Sequence, residues 1–277
     1  MADIGGLNTL TIVRKLDQGA YLDGNELGEI LLPGRYVPED CTPGDTMEVF
    51  IYIDSEGLRV ATTERPYAMV GQIARLEVVE VNSSGAFLDW GLPKDLLVPF
   101  REQKQRMETG RSYIVFVYLD HKTKRIAASS RLDSFLDTHP ASFDEGQEVE
   151  LFICDTTDLG YKVIIDDTHW GMLYKNEVFQ SLTQADRVKG FIKKIREDQK
   201  IDVCLQKPGY EKVAGISQKI IDMLRKQGGF IPVTDKSSPD IIYEMFGISK
   251  KTYKKVVGAL YRKRLIVIES NGIRLTK

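Results

Sequence analysis

Histidine and cysteine are scarce in this 277-residue chain, with three of each. Cys41, Cys154 and Cys204 are odd in number and far apart, which argues against a disulfide framework or a zinc site and for a reducing compartment. His121, His139 and His169 show neither metal-ligand spacing nor a nearby carboxylate–histidine motif. The chain also lacks a P-loop, a dinucleotide fingerprint and a nucleophile elbow. Asp166-Asp167 reads more simply as a turn between strands than as a metal pair. No apolar run reaches the roughly 18 residues of a membrane span. The opening MADIGGLNTL lacks the basic and apolar regions of a signal peptide. These absences lead us to expect a cytoplasmic protein that is not an enzyme, with no metal, no cofactor and no membrane association.

What is present is a strong asymmetry of charge. From Val213 onward there are 13 Lys/Arg against 5 Asp/Glu, while the rest of the chain carries 25 against 35. A basic tail on an acidic body points to a polyanionic partner for the tail.

An internal repeat sets the architecture. At an offset of 66 residues, Gly5 falls on Gly71, and Gly19-Ala20-Tyr21-Leu22-Asp23 on Gly85-Ala86-Phe87-Leu88-Asp89. Leu31-Leu32-Pro33 falls on Leu97-Val98-Pro99, and the run Val49 to Asp54 on Val115 to Asp120. A third copy follows at an offset of 75, setting Gly146-Gln147 on Gly71-Gln72, Gly160 on Gly85 and Tyr174 on Pro99. An insertion of three then puts Asp198 on Asp120. Each unit consists of short Val, Ile, Tyr and Phe runs punctuated by Gly and Asp, which predicts five β-strands in a Greek-key barrel of the OB-fold type.

After Lys207-Pro208-Gly209 the period becomes helical. Ile216, Ile220, Ile221 and Leu224 predict a helix stopped by Gly228-Gly229. Ser238 is the expected N-cap of a second helix with Pro239 at its first position, and Ser249 that of a third. LIVIES and GIRLTK around Asn271-Gly272 predict a terminal hairpin. Three helices and a hairpin make a winged helix. Val256, Val257 and Leu260 form the buried stripe of its third helix, which leaves Lys250, Lys251, Lys254 and Lys255 on the outer surface. There they would meet phosphates, giving affinity without sequence readout.

The stretch GAFLDWGLPKDLLVPF followed by GRSYIVFVYLDHKTKRIAAS closely resembles an S1 RNA-binding domain. Three such barrels and a winged helix together resemble the bacterial conserved virulence factor B family. The expected fold is therefore mainly β with a C-terminal α+β domain. Barrel 1 is expected over 1–65, barrel 2 over 66–134, a divergent barrel 3 over 144–208 and the winged helix over 213–277. The resemblance implies a single-stranded RNA partner, mRNA foremost, and a regulatory role in virulence gene expression.

The resemblance also assigns base-stacking platforms to Tyr21 and Phe87, with Asp54, Asp120, Arg59 and Arg125 lining the same face. Arg101, Lys104, Arg106, Lys122 and Lys124 add cations around barrel 2. Tyr161, Tyr174, Lys193 and Lys194 are the candidates on barrel 3. The pattern is incomplete. Gln18, Ser84 and Leu159 stand where the family has a further aromatic, Pro33 and Pro99 replace its histidine, and Lys162 takes the platform position of the third copy. Partial sites joined in tandem are the expectation. Two rivals remain at this point: a DNA-binding transcription regulator, and a scaffold on a ribosome or RNA-decay assembly. Residues 250–255 lack the Arg, Asn and Gln that perform most direct base readout, which weighs against the first.

Overall fold

The computed structural model describes residues 2–54, 56–178, 180–206 and 211–276, with side chains 211–215 also outside the description. The Lys207-Pro208-Gly209 boundary therefore lies outside the described residues. The chain divides into two units, Met1–Thr138 and His139–Lys277. The first holds two barrels; the second holds a third barrel and the winged helix.

Barrel 1 comprises β1 (Leu7–Leu16), β2 (Gly19–Asp23), β3 (Glu29–Pro33), β4 (Thr46–Ile53) and β5 (Arg59–Thr62), closed in the order β1-β2-β3-β5-β4. Barrel 2 repeats it as β6 (Ile73–Asn82), β7 (Gly85–Leu88), β8 (Leu96–Pro99), β9 (Ser112–Leu119) and β10 (Ile126–Ser129). Its sheet runs β10-β9-β6-β7-β8, so the β8/β10 seam lacks the parallel pairing that closes the others. Barrel 3 is closed again, from β11 (Glu148–Thr156), β12 (Gly160–Ile165), β13 (His169–Tyr174), β14 (Arg187–Ile195) and β15 (Ile201–Cys204).

The 66-residue register is the register of the cores. Leu10, Ile12, Ala20, Leu22, Ile30, Leu32, Val49 and Ile51 fill barrel 1. Leu76, Val78, Ala86, Leu88, Leu96, Val98, Val115 and Val117 fill barrel 2, position for position. Period-two alternation buries one face of each strand and turns the intervening residues outward. In barrel 3, Leu151, Ile153, Val163 and Leu173 hold the places of Leu76, Val78, Leu88 and Val98.

Each second strand opens on a glycine because two backbones nearly touch there. Gly19, Gly85 and Gly160 pair with Pro33, Pro99 and Tyr174. At Gly160, with φ of +156°, a Cβ would lie 2.1 Å from the Leu173 carbonyl oxygen, and Gly19 and Gly85 are as tight. Only glycine tolerates that approach.

Aspartates hold the β4–β5 and β9–β10 turns. The Asp54 carboxylate accepts from the backbone N–H groups of Glu56 (2.8 Å) and Leu58 (2.9 Å). Asp120 accepts from the N–H of Thr123 (2.8 Å) and of Lys122 (3.0 Å) and from the Thr123 hydroxyl (3.0 Å). The Thr123 N–H first, then those other donors and the Arg101 guanidinium, hold the Asp120 carboxyl below its ordinary range against a desolvation cost. Barrel 3 departs here. The residue following β14 is Arg196, whose N–H donates to the Lys200 carbonyl (2.9 Å), so Arg196 and not Asp198 occupies the place of Asp120.

The winged helix consists of α1 (Glu211–Lys226), β16 (Phe230–Ile231), α2 (Pro239–Phe246), α3 (Lys250–Arg262), β17 (Ile266–Glu269) and β18 (Gly272–Leu275). Its sheet order is β16-β18-β17. Ser238 and Ser249 cap α2 and α3 as the sequence predicts, accepting from the N–H groups of Ile241 and Thr252. Tyr253, Val256, Val257 and Leu260 are the buried face of α3. The Tyr253 hydroxyl donates to the Val233 carbonyl at 2.8 Å. No helix among the described residues is long and apolar enough to cross a membrane.

Two expectations follow. Gly160→Ala should destabilise the chain by about 1–3 kcal/mol from backbone strain alone, read as a lower urea midpoint; an unchanged midpoint would refute the close-approach argument. For Asp120, the folded pKa lies below the reference value of 3.8. Its contribution is then complete at neutral pH and fades as pH falls from 3.8 through the folded value. Thermal melts should show Asp120→Asn below the parent at pH 7, with the gap closing in acid; a gap independent of pH would contradict this.

Candidate nucleic-acid interface

Outward positions on β2 and β7 carry the two predicted platforms, and their surroundings differ. Tyr21 is already covered: the Arg14 guanidinium lies 4.4 Å from its ring centroid while pairing with Glu29 at 2.6 Å. Gln18 Nε2 also donates to the Tyr21 hydroxyl at 3.0 Å. The half-buried Phe87 has no ring or cation stacked on it among the described residues. It lines a groove of about 350 Å³ in the first unit.

That groove brings together five of the predicted residues, Asp54, Phe87, Arg101, Asp120 and Arg125. Arg101 stands on the single 3-10 turn after β8 and reaches Asp120 at 3.3 Å. Lys94 adds a third cation to the lining. Tyr52 and Trp90 supply aromatic wall that the sequence reading missed. Trp90 is fixed by donating its Nε1–H to the Lys94 carbonyl and by an edge-on contact with Phe50. Tyr52 belongs to barrel 1, so the groove is built by both barrels. On its rim, burial first and then Asp89 and Glu80 raise the Asp95 carboxyl above its usual range. The cations thus face carboxylates, of which Asp54 and Asp120 are committed to turns.

Other predicted residues lie outside the groove. Arg59 is exposed and donates to the Leu27 carbonyl at 2.8 Å. Arg106 covers the Phe100 ring at 4.1 Å, and Lys104 is exposed nearby. Lys122 and Lys124 sit exposed on the β9–β10 turn.

In barrel 3 the register moves the platform. Lys162 pairs with Met172 as Phe87 pairs with Leu97, so Lys162 is the outward residue. Tyr161 packs against the barrel core instead. The Lys162 ammonium lies 3.5 Å from the ring centroid of Trp170, an aromatic on β13 that the sequence motif does not reach. The Tyr174 hydroxyl accepts from Arg196 at 3.0 Å, and Arg196 also holds Asp202 at 2.7 Å. Lys193 is paired with Glu177 at 2.7 Å, which raises its pKa. Lys194 is exposed.

On α3, Lys251, Lys254 and Lys255 are exposed and Lys250 is half-buried. Lys254 faces Asp235 at 3.7 Å. Among the described residues no group of three His, Cys, Asp or Glu could hold a metal ion.

Comparison with known proteins follows this architecture. Residues 4–64 and 70–129 match the S1 domain, and residues 218–275 match the CvfB-like winged helix domain. The Bacillus subtilis protein YitL is 27% identical over 273 residues, covering 95% of this chain and 90% of that one. Conserved virulence factor B of Staphylococcus epidermidis is 24% identical over 283 residues, covering 99% and 95%. A solved multidomain protein with nucleic acid binding domains from Streptococcus pneumoniae is 24% identical, with a TM-score of 0.40 and coverage of 99% and 98%. With two S1 domains ahead of a CvfB-like winged helix and relatives aligned over nearly its whole length, the chain is similar in domain order and sequence to the conserved virulence factor B proteins.

Proposed function

We propose that the chain binds single-stranded RNA, mRNA foremost, and acts as a cytoplasmic post-transcriptional regulator without catalysing a reaction on its ligand. The Phe87 groove carries this reading. It offers an unstacked aromatic ring beside Arg101, Arg125 and Lys94, the pairing of stacking surface and cations that single strands require. S1 and winged-helix domains together support nucleic acid as the partner. The regulatory part rests on the name of the relatives, conserved virulence factor B.

The sites are weak singly and work in tandem. Tyr21 is covered by Arg14 and barrel 3 carries Lys162 over Trp170, so Phe87 is the principal platform and the others add to it through linkage. The α3 lysines supply phosphate contacts. A regulator of this kind would meet its mRNA on the ribosome or in RNA-decay assemblies, which are the protein partners the reading allows.

Fluorescence anisotropy with labelled poly-U, poly-A and duplex DNA at two salt concentrations tests the proposal. Salt-sensitive binding selective for the single strands is expected. Equal or tighter binding of duplex DNA would favour a DNA-binding regulator, and no binding to any would favour a protein scaffold. Phe87→Ala should weaken RNA binding about 5- to 150-fold, the equivalent of one lost stack of roughly 1–3 kcal/mol. Its circular dichroism should match the parent's, and unchanged affinity would remove Phe87 from the site.

A further inference from the structure

Barrel 2 departs from the other two at one seam. In barrel 1, β3 and β5 close the sheet through the parallel pair Leu31 and Val60. In barrel 3, β13 and β15 close it through three such pairs, the last being Leu173 and Val203. The 66-residue offset puts Leu97 and Ile126 in the places of Leu31 and Val60, yet β8 and β10 are the two edges of an open sheet. These edges are not frayed, because one end is tied. The Ser130 N–H donates to the Glu102 carbonyl at 3.0 Å, and the Arg131 Nε–H to the Arg101 carbonyl at 2.8 Å. The Lys104 N–H donates to the Ser130 hydroxyl at 2.8 Å. What remains is a slit, and Leu96, Leu97, Ile126 and Ala127 bring it into the lining of the Phe87 groove.

Strand alternation decides which groups face the slit. In barrel 1 the Gly34 N–H donates to the Gln18 carbonyl at 3.0 Å. Alternate residues Leu32 and Ile30 therefore bond to β2, and Leu31 points its N–H and carbonyl at β5. Leu97 pairs with Phe87 in the same register, so its N–H and carbonyl point toward β10. Among the described residues no strand pairs with Leu97 on that side. Leu97 thus offers a donor beside an acceptor, next to the Phe87 ring that is its cross-strand neighbour. An unpaired base offers the complement, a donor beside an acceptor on its Watson–Crick edge.

We propose that this open seam holds one RNA base by its Watson–Crick edge. The ring lies on Phe87, and its edge meets the Leu97 N–H and carbonyl in place of the bonds that closure of the barrel would make. A base paired in a duplex cannot present that edge, so the seam selects unpaired strands. The inference rests on the RNA-binding reading above and adds the feature that discriminates between strands.

Affinity of the full chain for fluorescein-labelled oligouridine and for the same oligomer built from N3-methyluridine tests it. Methylation removes the edge donor and leaves the stacking face and the phosphates. The methylated strand should bind about 5- to 150-fold more weakly, the equivalent of two neutral hydrogen bonds. Leu97→Pro deletes an N–H on which no β7 ladder bond depends, a place where an edge strand tolerates proline. It should keep the parent's circular dichroism and lower the methylation ratio about 2- to 13-fold, the share of one bond. Should Leu97→Pro not fold, Phe87→Ala decides, because it should lower the ratio as well as the affinity. Equal parent affinity for the two strands, with Phe87→Ala still weakening binding, overturns the seam and leaves the RNA reading standing. A ratio that survives intact in Phe87→Ala also overturns it, by placing edge recognition elsewhere. A parent chain that binds neither strand overturns both.

Discussion

Each barrel depends on a close approach of two backbones. Gly19, Gly85 and Gly160 lie so near the carbonyls of Leu32, Val98 and Leu173 that a side chain of any size would force the strands apart. The contact fixes the register of the second strand against the third. With a period of two, that register decides which side chain faces inward and which faces outward. Ala20 and Ala86 fill the core, and Tyr21 and Phe87 turn outward. In barrel 3 the same register turns Tyr161 toward the core and Lys162 outward.

One backbone plan thus presents three different surfaces. Barrel 1 spends its platform on Arg14, barrel 2 leaves Phe87 facing a groove, and barrel 3 replaces the platform with Lys162 over Trp170. Cations are similarly divided. Arg59, Arg106, Lys193 and Arg196 are engaged within the chain, while Lys251 and Lys255 of α3 are exposed. On the proposed reading, ligand contacts fall where structural contacts have not consumed the side chains.

The repeat was readable because core positions recur at a fixed offset, and burial constrains them to apolar residues of similar size. Helix caps were readable because Ser238, Pro239 and Ser249 act within one turn of themselves. Less local features were not. Tyr161 is a binding candidate on barrel 3 by sequence, but the register gives the outward place to Lys162 and packs the half-buried Tyr161 against the barrel core. Asp198 was matched to Asp120 by counting residues, but the turn after β14 begins at Arg196. Whether Asp54 and Asp120 are spent on their turns depends on hydrogen bonds that no residue pattern displays. Strand β16 is two residues long, too short for any periodicity. Trp170 and Tyr52 lie outside the motif, and the Phe87 groove needs two barrels to form its walls.

Photocrosslinking a 4-thiouridine RNA to the intact chain, followed by peptide mapping, tests the central claim most directly. The account predicts crosslinks in β7 around Phe87 and at the start of α3 around Lys250, both abolished by excess unlabelled oligouridine and untouched by duplex DNA. Crosslinks confined to other surfaces, or competed equally by duplex DNA, would contradict it.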